Sequence, residues 1–115
     1  MTNDLIFHIC RRDEWEAAIR AGVYAGSSQD QADGFIHFSD SSQVVESARR
    51  HRAGQDDLVL VAVETAALGP ALKWEPSRSG ALFPHLYGPL PTSAVRWSRA
   101  LRLGPEGLHV FPPLA

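Results

Sequence analysis

The stretch Leu58-Val59-Leu60-Val61-Ala62-Val63-Glu64 decides the fold. Six apolar residues in unbroken succession, rich in β-branched types and bounded by Asp57 and Glu64, read as a strand buried on both faces, so it belongs in the middle of a sheet. Around it the chain is built from short segments. Leu5 to Ile9 reads as a first strand, with Leu5, Phe7 and Ile9 on one side and Ile6, His8 and Cys10 on the other. Asp13 with Glu16 marks a capping-box-like helix start, Trp15, Ala18 and Ile19 supply its apolar stripe, and Gly22 its stop. Val23-Tyr24 is a short extended piece, and the polar run from Gly26 to Gly34 reads as a surface loop.

Gly34 to Ser39 is expected to be a second strand. Ser39, or one of Asp40 to Ser42, then caps a second main helix that buries Val44, Val45 and Ala48 and ends before Gly54. Beyond the central strand, Leu72 to Glu75 is a brief strand and Pro76 to Ala81 a loop. Pro84, Gly88, Pro89 and Pro91 keep the next segment extended. Val95 to Leu103 alternates as a strand, which puts Arg99 on the same face as Val95, Trp97, Leu101 and Leu103. The tail from Gly104 to Ala115 is rich in glycine and proline and reads as an irregular strap.

Length and composition set bounds. A chain of 115 residues, 44% hydrophobic and 21% charged, makes one domain over 1–115 with a core that needs no metal or disulfide to stand. The single cysteine, Cys10, excludes an intrachain disulfide framework and fits a reducing compartment, so a cytoplasmic location is expected. Asp4 sits where a signal peptide carries positive charge, and no apolar run approaches the roughly 20 residues of a membrane span. Lys+Arg number 11 against 13 Asp+Glu, a net charge of -2, which gives no general affinity for nucleic acid.

Chemistry concentrates in three histidines. His8, His37 and His85 each sit within an apolar extended segment, where an imidazole needs defined partners, and three such rings on one side of a sheet would floor a polar pocket. Phe83-Pro84-His85-Leu86-Tyr87-Gly88-Pro89 joins an imidazole to two aromatic rings suited to a flat ligand, and Trp74-Glu75 sets a carboxylate beside a third. Arg99 on an apolar face would have to be paired or aimed at an anion. Ser39 is a candidate ligand contact as well as a cap. His51 and His109 need only structural accounts, and the Arg49 to Arg52 cluster reads as a solvated helix end. Nucleophile-elbow, Walker, dinucleotide-fingerprint and paired-cysteine zinc signatures are all missing from the sequence.

Taken in order, Phe7-His8-Ile9, Trp15, Gly22 to Tyr24, Gly34-Phe35-Ile36-His37-x-Ser39, Leu58 to Val63, Trp74-Glu75 and Phe83-Pro84-His85-x-Tyr87-Gly88-Pro89-Leu90 resemble a small bacterial family, domain of unknown function nine-fifty-two, over about residues 5–103. That family is similar to the ADP-ribosyltransferase-like fold, in particular its RNA 2'-phosphotransferase branch. The resemblance implies an α+β domain with a split, mostly antiparallel β-sheet and two main helices. It also implies NAD or a related nucleotide as ligand and an unassigned macromolecular acceptor. By that resemblance His8 is the first-strand histidine that contacts ribose hydroxyls, and His37 the second-strand histidine. The late glutamate with which protein-modifying transferases steady a ribosyl cation has no counterpart after Arg99 except Glu106.

Two readings follow. In the first, an ADP-ribosyltransferase-like enzyme acts at a ribose: His8, His37, His85 and Glu75 carry the chemistry, and His8, His37, Ser39, Trp74, Tyr87 and Arg99 hold the nucleotide, with no metal expected. In the second, His8, His37 and His85 converge as a small-molecule or three-histidine metal-binding module without catalysis.

Overall fold

The computed structural model describes residues 5–77 and 79–114; the leader reading at residues 1–4 and Arg78 in the expected 76–81 loop lie outside them. Its backbone is the strand β5, Leu58–Glu64, buried along nearly its whole length because its side chains feed two separate cores. Val59, Val61 and Val63 join Ile6 and Cys10 on one face; Leu58, Leu60 and Ala62 join Phe7 and Leu101 on the other. Each buried leucine or valine removed from water contributes about 1.5–3 kcal/mol, and β5 supplies five of them.

On either side of β5 lie β1 (Leu5–Arg11) and β9 (Val95–Leu103), both antiparallel to it. The β4 strand (Ser39–Asp40) and β10 (His109–Val110) complete a five-stranded sheet in the order β10-β9-β5-β1-β4. The tail is thus partly ordered against β9, beyond the strap its composition suggests. The helix α1 (Arg12–Ala21) buries Trp15 and Ala18 over the Val59-Val61-Val63 face, while α3 (Val44–His51) presses Val44 on the opposite face.

Smaller sheets roof the α1 side. A two-stranded sheet pairs β2 (Val23–Tyr24) with β8 (Leu90–Pro91), and a three-stranded one orders β3 (Ile36–His37), β7 (Leu82–Leu86) and β6 (Leu72–Pro76) as β3-β7-β6. Ile36, Leu86 and Leu72 point down from the latter into the same core as Tyr24 and Leu90. The domain is therefore α+β, with antiparallel sheets and two main helices.

Several expectations are corrected. The segment Gly34 to Ser39 is two strands: it gives Ile36–His37 to the small sheet and Ser39–Asp40 to the large one, with the Phe38 N–H donating to the Pro84 carbonyl at 3.0 Å between them. Ser39 is consequently a buried strand residue opposite Phe7 and not a helix cap; Gln43 precedes α3. Val45 is 51% exposed and Ile19 55%, because the apolar stripes are narrower than their composition suggested. The first helix begins at Arg12, where Glu14, not Glu16, accepts the Arg11 N–H at 3.3 Å. The polar run after Gly26 holds a further short helix, α2 (Ser28–Asp33).

Candidate histidine and carboxylate site

The α2 helix organises the site. Ser27 caps it by accepting the Asp30 N–H, Asp30 returns by accepting the Ser27 N–H at 2.8 Å, and Gly34, at φ +89, ends it in a left-handed turn that only glycine adopts freely. This capping turns Asp30 inward, where it is 3% exposed. Its Oδ2 takes hydrogen bonds from the Ser27 N–H and hydroxyl. Its Oδ1 takes the His37 backbone N–H at 3.1 Å and the His37 ring Nδ1–H at 2.5 Å. Burial pushes the Asp30 carboxyl up, but these donors, the His37 ring first among them, outweigh it and hold the group well below the usual carboxylate range.

His37 is clamped from both sides, since its Nε2 lies 3.0 Å from Asp33 Oδ2 while its Nδ1 faces Asp30. Two carboxylates flanking one ring favour its doubly protonated, cationic form. The bond to Asp30 raises its pKa, burial lowers it, and the charges of Asp30 and Asp33 raise it further, for a net rise.

His8 lies one layer down. It is 4% exposed, its Nδ1–H donates to the His37 carbonyl at 2.6 Å, and its Nε2 accepts the Tyr24 hydroxyl at 2.7 Å. A carbonyl can only accept, which fixes that tautomer. Burial lowers the His8 pKa more than Asp30 and the carbonyl raise it, so the ring is neutral.

Cross-strand register sets the exposed face of the β3-β7-β6 sheet. Directly paired residues point the same way, and the pairs His37 with His85, Lys73 with His85, and Glu75 with Phe83 put all of these side chains on the outer surface. His85 donates its Nδ1–H to Glu75 Oε1 at 2.8 Å, and the Tyr87 hydroxyl donates to the same oxygen at 2.6 Å. Those two donors hold the Glu75 carboxyl below its ordinary range, while Glu75 raises the Tyr87 phenol. Phe35 stacks on the His85 ring at 4.0 Å and 23°, with Tyr87 at 5.3 Å beyond it. Among the described residues His85 Nε2 has no hydrogen-bond partner and is not sealed from solvent.

The sequence expectations divide accordingly. His37, His85, Glu75 and Tyr87 come together, and their ring centroids at positions 37 and 85 are 5.7 Å apart. His8 does not share a solvent-reachable hollow with them, because it is buried beneath their sheet with both nitrogens engaged. For the same reason the three imidazoles do not converge on a common point, and among the described residues no group of three or more His, Cys, Asp or Glu side chains is arranged to hold a metal ion. Trp74, paired with Pro84, lies on the opposite face of the small sheet from Glu75. Arg99 is exposed over the Trp97 ring at 5.4 Å and opposite Leu60, on the far side of the main sheet from His8. A β-bulge between Ala62 and Val63 moves Val95 to the other core while Trp97, Arg99 and Leu101 keep one face. Ser39 is buried in the main sheet.

The sequence reading omitted Asp30, Asp33 and Lys73. The first two were recoverable from Ser27-x-x-Asp30, a capping box, with Gly34 as its stop. Among the described residues no helix is long and apolar enough to cross a membrane.

No curated protein matches the chain. Solved structures of one protein do: the X-ray crystal structure of protein CC0527 from Caulobacter crescentus is 49% identical, with 92% of this chain and 93% of that one covered and a TM-score of 0.89. The solution NMR structure of CC0527 is 50% identical over 90% of each chain, with a TM-score of 0.82. Residues 9–98 match the family described as protein of unknown function (DUF952). With the match covering most of the chain, and a close structural relative over nearly all of it, the protein belongs to the DUF952 family.

Proposed function

We propose that the outer face of the β3-β7-β6 sheet is the active site of an enzyme that binds NAD or a related nucleotide and acts at its ribose, in the manner of ADP-ribosyltransferases. The observation that carries this is the His85-Glu75 pair. A carboxylate holding Nδ1–H leaves the Nε2 lone pair turned outward, the arrangement of a general base. Beside it, the rings of Phe35 and Tyr87, inclined by 46° to one another, offer aromatic faces for a base or a nicotinamide.

In this reading each residue has one task. His85 takes the proton of an acceptor hydroxyl. Glu75 orients it and faces the positive charge that develops at the ribose carbon as the leaving group departs with its electron pair. Tyr87, rather than Trp74, stacks on the ligand. His37 lines the edge of the ligand, and His8 positions His37 from below without touching the ligand. The carboxylate of Glu75 fills the role for which the region after Arg99 offers only Glu106.

A titration with NAD tests it. NAD at millimolar concentration raises the melting temperature of the wild type and releases nicotinamide with time, and Glu75→Gln and His85→Ala abolish the release. Absence of any melting shift with NAD, ADP-ribose or 2'-phosphorylated RNA refutes the assignment.

A further inference from the structure

The small sheet carries a row that the site described above does not use in full. His37, His85 and Lys73 stand side by side on three adjacent strands, because His85 is the direct cross-strand partner of both others. Directly paired residues place their Cβ atoms about 4.5–5.5 Å apart, so the row presents three nitrogen-bearing side chains across roughly 10 Å of one surface. Of these, His37 is a cation by its two carboxylate partners and Lys73 is a cation by nature.

Asp33 explains what the row is for. It is the last residue of α2, at the helix end where a negative charge is unfavourable and where α2 has no basic residue to offset it. It nevertheless sits with its Oδ2 3.0 Å from His37 Nε2, and Gln29 donates to the same Oδ2 at 3.1 Å. An exposed carboxylate therefore occupies the place in which the His37 N–H would meet an anionic oxygen. The other acids are committed elsewhere: Asp30 is buried under four hydrogen bonds, and Glu75 Oε1 holds His85 and Tyr87.

We propose that His37 and Lys73, flanking His85, form a phosphate subsite, which takes a phosphate group of a nucleotide by displacing the Asp33 carboxylate from His37 while Lys73 closes on it from the other side. This rests on the reading of the same face as a nucleotide site, and it assigns Lys73 as a binding residue and Asp33 as the internal competitor of the ligand. Substrates of the site therefore carry a phosphate next to the ribose, and nucleosides bind more weakly than nucleotides.

Titration of the full chain with inorganic phosphate, ADP and adenosine, followed through the imidazole signals in NMR, tests the subsite. Phosphate and ADP shift the His37 and His85 ring signals, and ADP binds at least tenfold more tightly than adenosine. Lys73→Ala, an exposed change that leaves the fold intact, weakens phosphate and ADP at least fivefold without altering adenosine. Asp33→Asn strengthens both phosphate ligands severalfold. Equal affinities for ADP and adenosine, or variants within twofold of the wild type toward phosphate, overturn the subsite. Adenosine binding that persists in that event leaves the nucleotide face standing, whereas silence toward all three probes removes both.

Discussion

Replacing Asp30 by Asn tests the strut on which the site rests. The amide keeps an acceptor for the two His37 donors, but it removes the charge and sets an NH2 group against the Ser27 N–H and hydroxyl, which both need an acceptor. Hydrogen bonds to a charged group contribute about 1.5–3 kcal/mol each, and breaking a buried charged pair by changing one partner costs about 3–5 kcal/mol. A loss near 4 kcal/mol is therefore expected, out of a total of about 5–15 kcal/mol for a domain. At about 4 °C per kcal/mol for a chain of this size, the melting temperature falls by about 16 °C.

Urea denaturation at pH 7, followed by tryptophan fluorescence, measures the change, with Trp15 packed edge-on to Tyr24 beside His8 as reporter. The pH dependence supplies a second readout. His37 is raised from its ordinary 6.5, so its contribution is complete below that value and is lost as pH climbs through the folded pKa. His8 is lowered from the same 6.5, so its contribution is complete above 6.5 and is lost as pH falls toward the folded pKa. Asp30 is lowered from 3.8, so its share is present above that value and is lost on further acidification. Asp30→Asn removes the largest cause of the His37 rise and flattens the alkaline limb of the profile. A variant that unfolds within about 1 kcal/mol of the wild type, with that limb unchanged, refutes the strut.

Two further outcomes follow from the same core. Cys10 is buried, and that burial pushes its thiol up to about 12, so a disulfide reagent at pH 8 modifies it only as fast as the protein unfolds. Immediate labelling under native conditions would contradict this. Gly26→Ala places a methyl group 2.8 Å from Asp30 Cβ at a φ of +98, and it lowers stability by about 2 kcal/mol or more by urea melt, whereas Gly34→Ala meets no atom within 4 Å and loses only about 1 kcal/mol.

The sequence disclosed the main sheet because its signals are local: an unbroken apolar run gave β5 and alternation gave β1 and β9. It also brought forward His37, His85, Glu75 and Tyr87, of which the last three meet across neighbouring segments of one small sheet. What stayed hidden depends on register and on layers. Nothing in Phe7-His8-Ile9 tells that His8 faces a roof of smaller sheets rather than solvent. Nothing in Val95 to Leu103 tells that Arg99 falls on the side away from that roof. Lys73 becomes informative only when β6 is aligned on β7, and Asp30 only when Ser27 is read as a cap rather than as one more polar residue in a loop.

Phe38 is the sole residue separating two strands that serve different sheets. With no slack between them, the frame of the small sheet is bolted to that of the large one. An insertion or deletion at this point would put His37 and Ser39 out of step with both partners at once. The spot is therefore intolerant of length change, and the β6–β7 hairpin, rather than this junction, is where the architecture can lengthen.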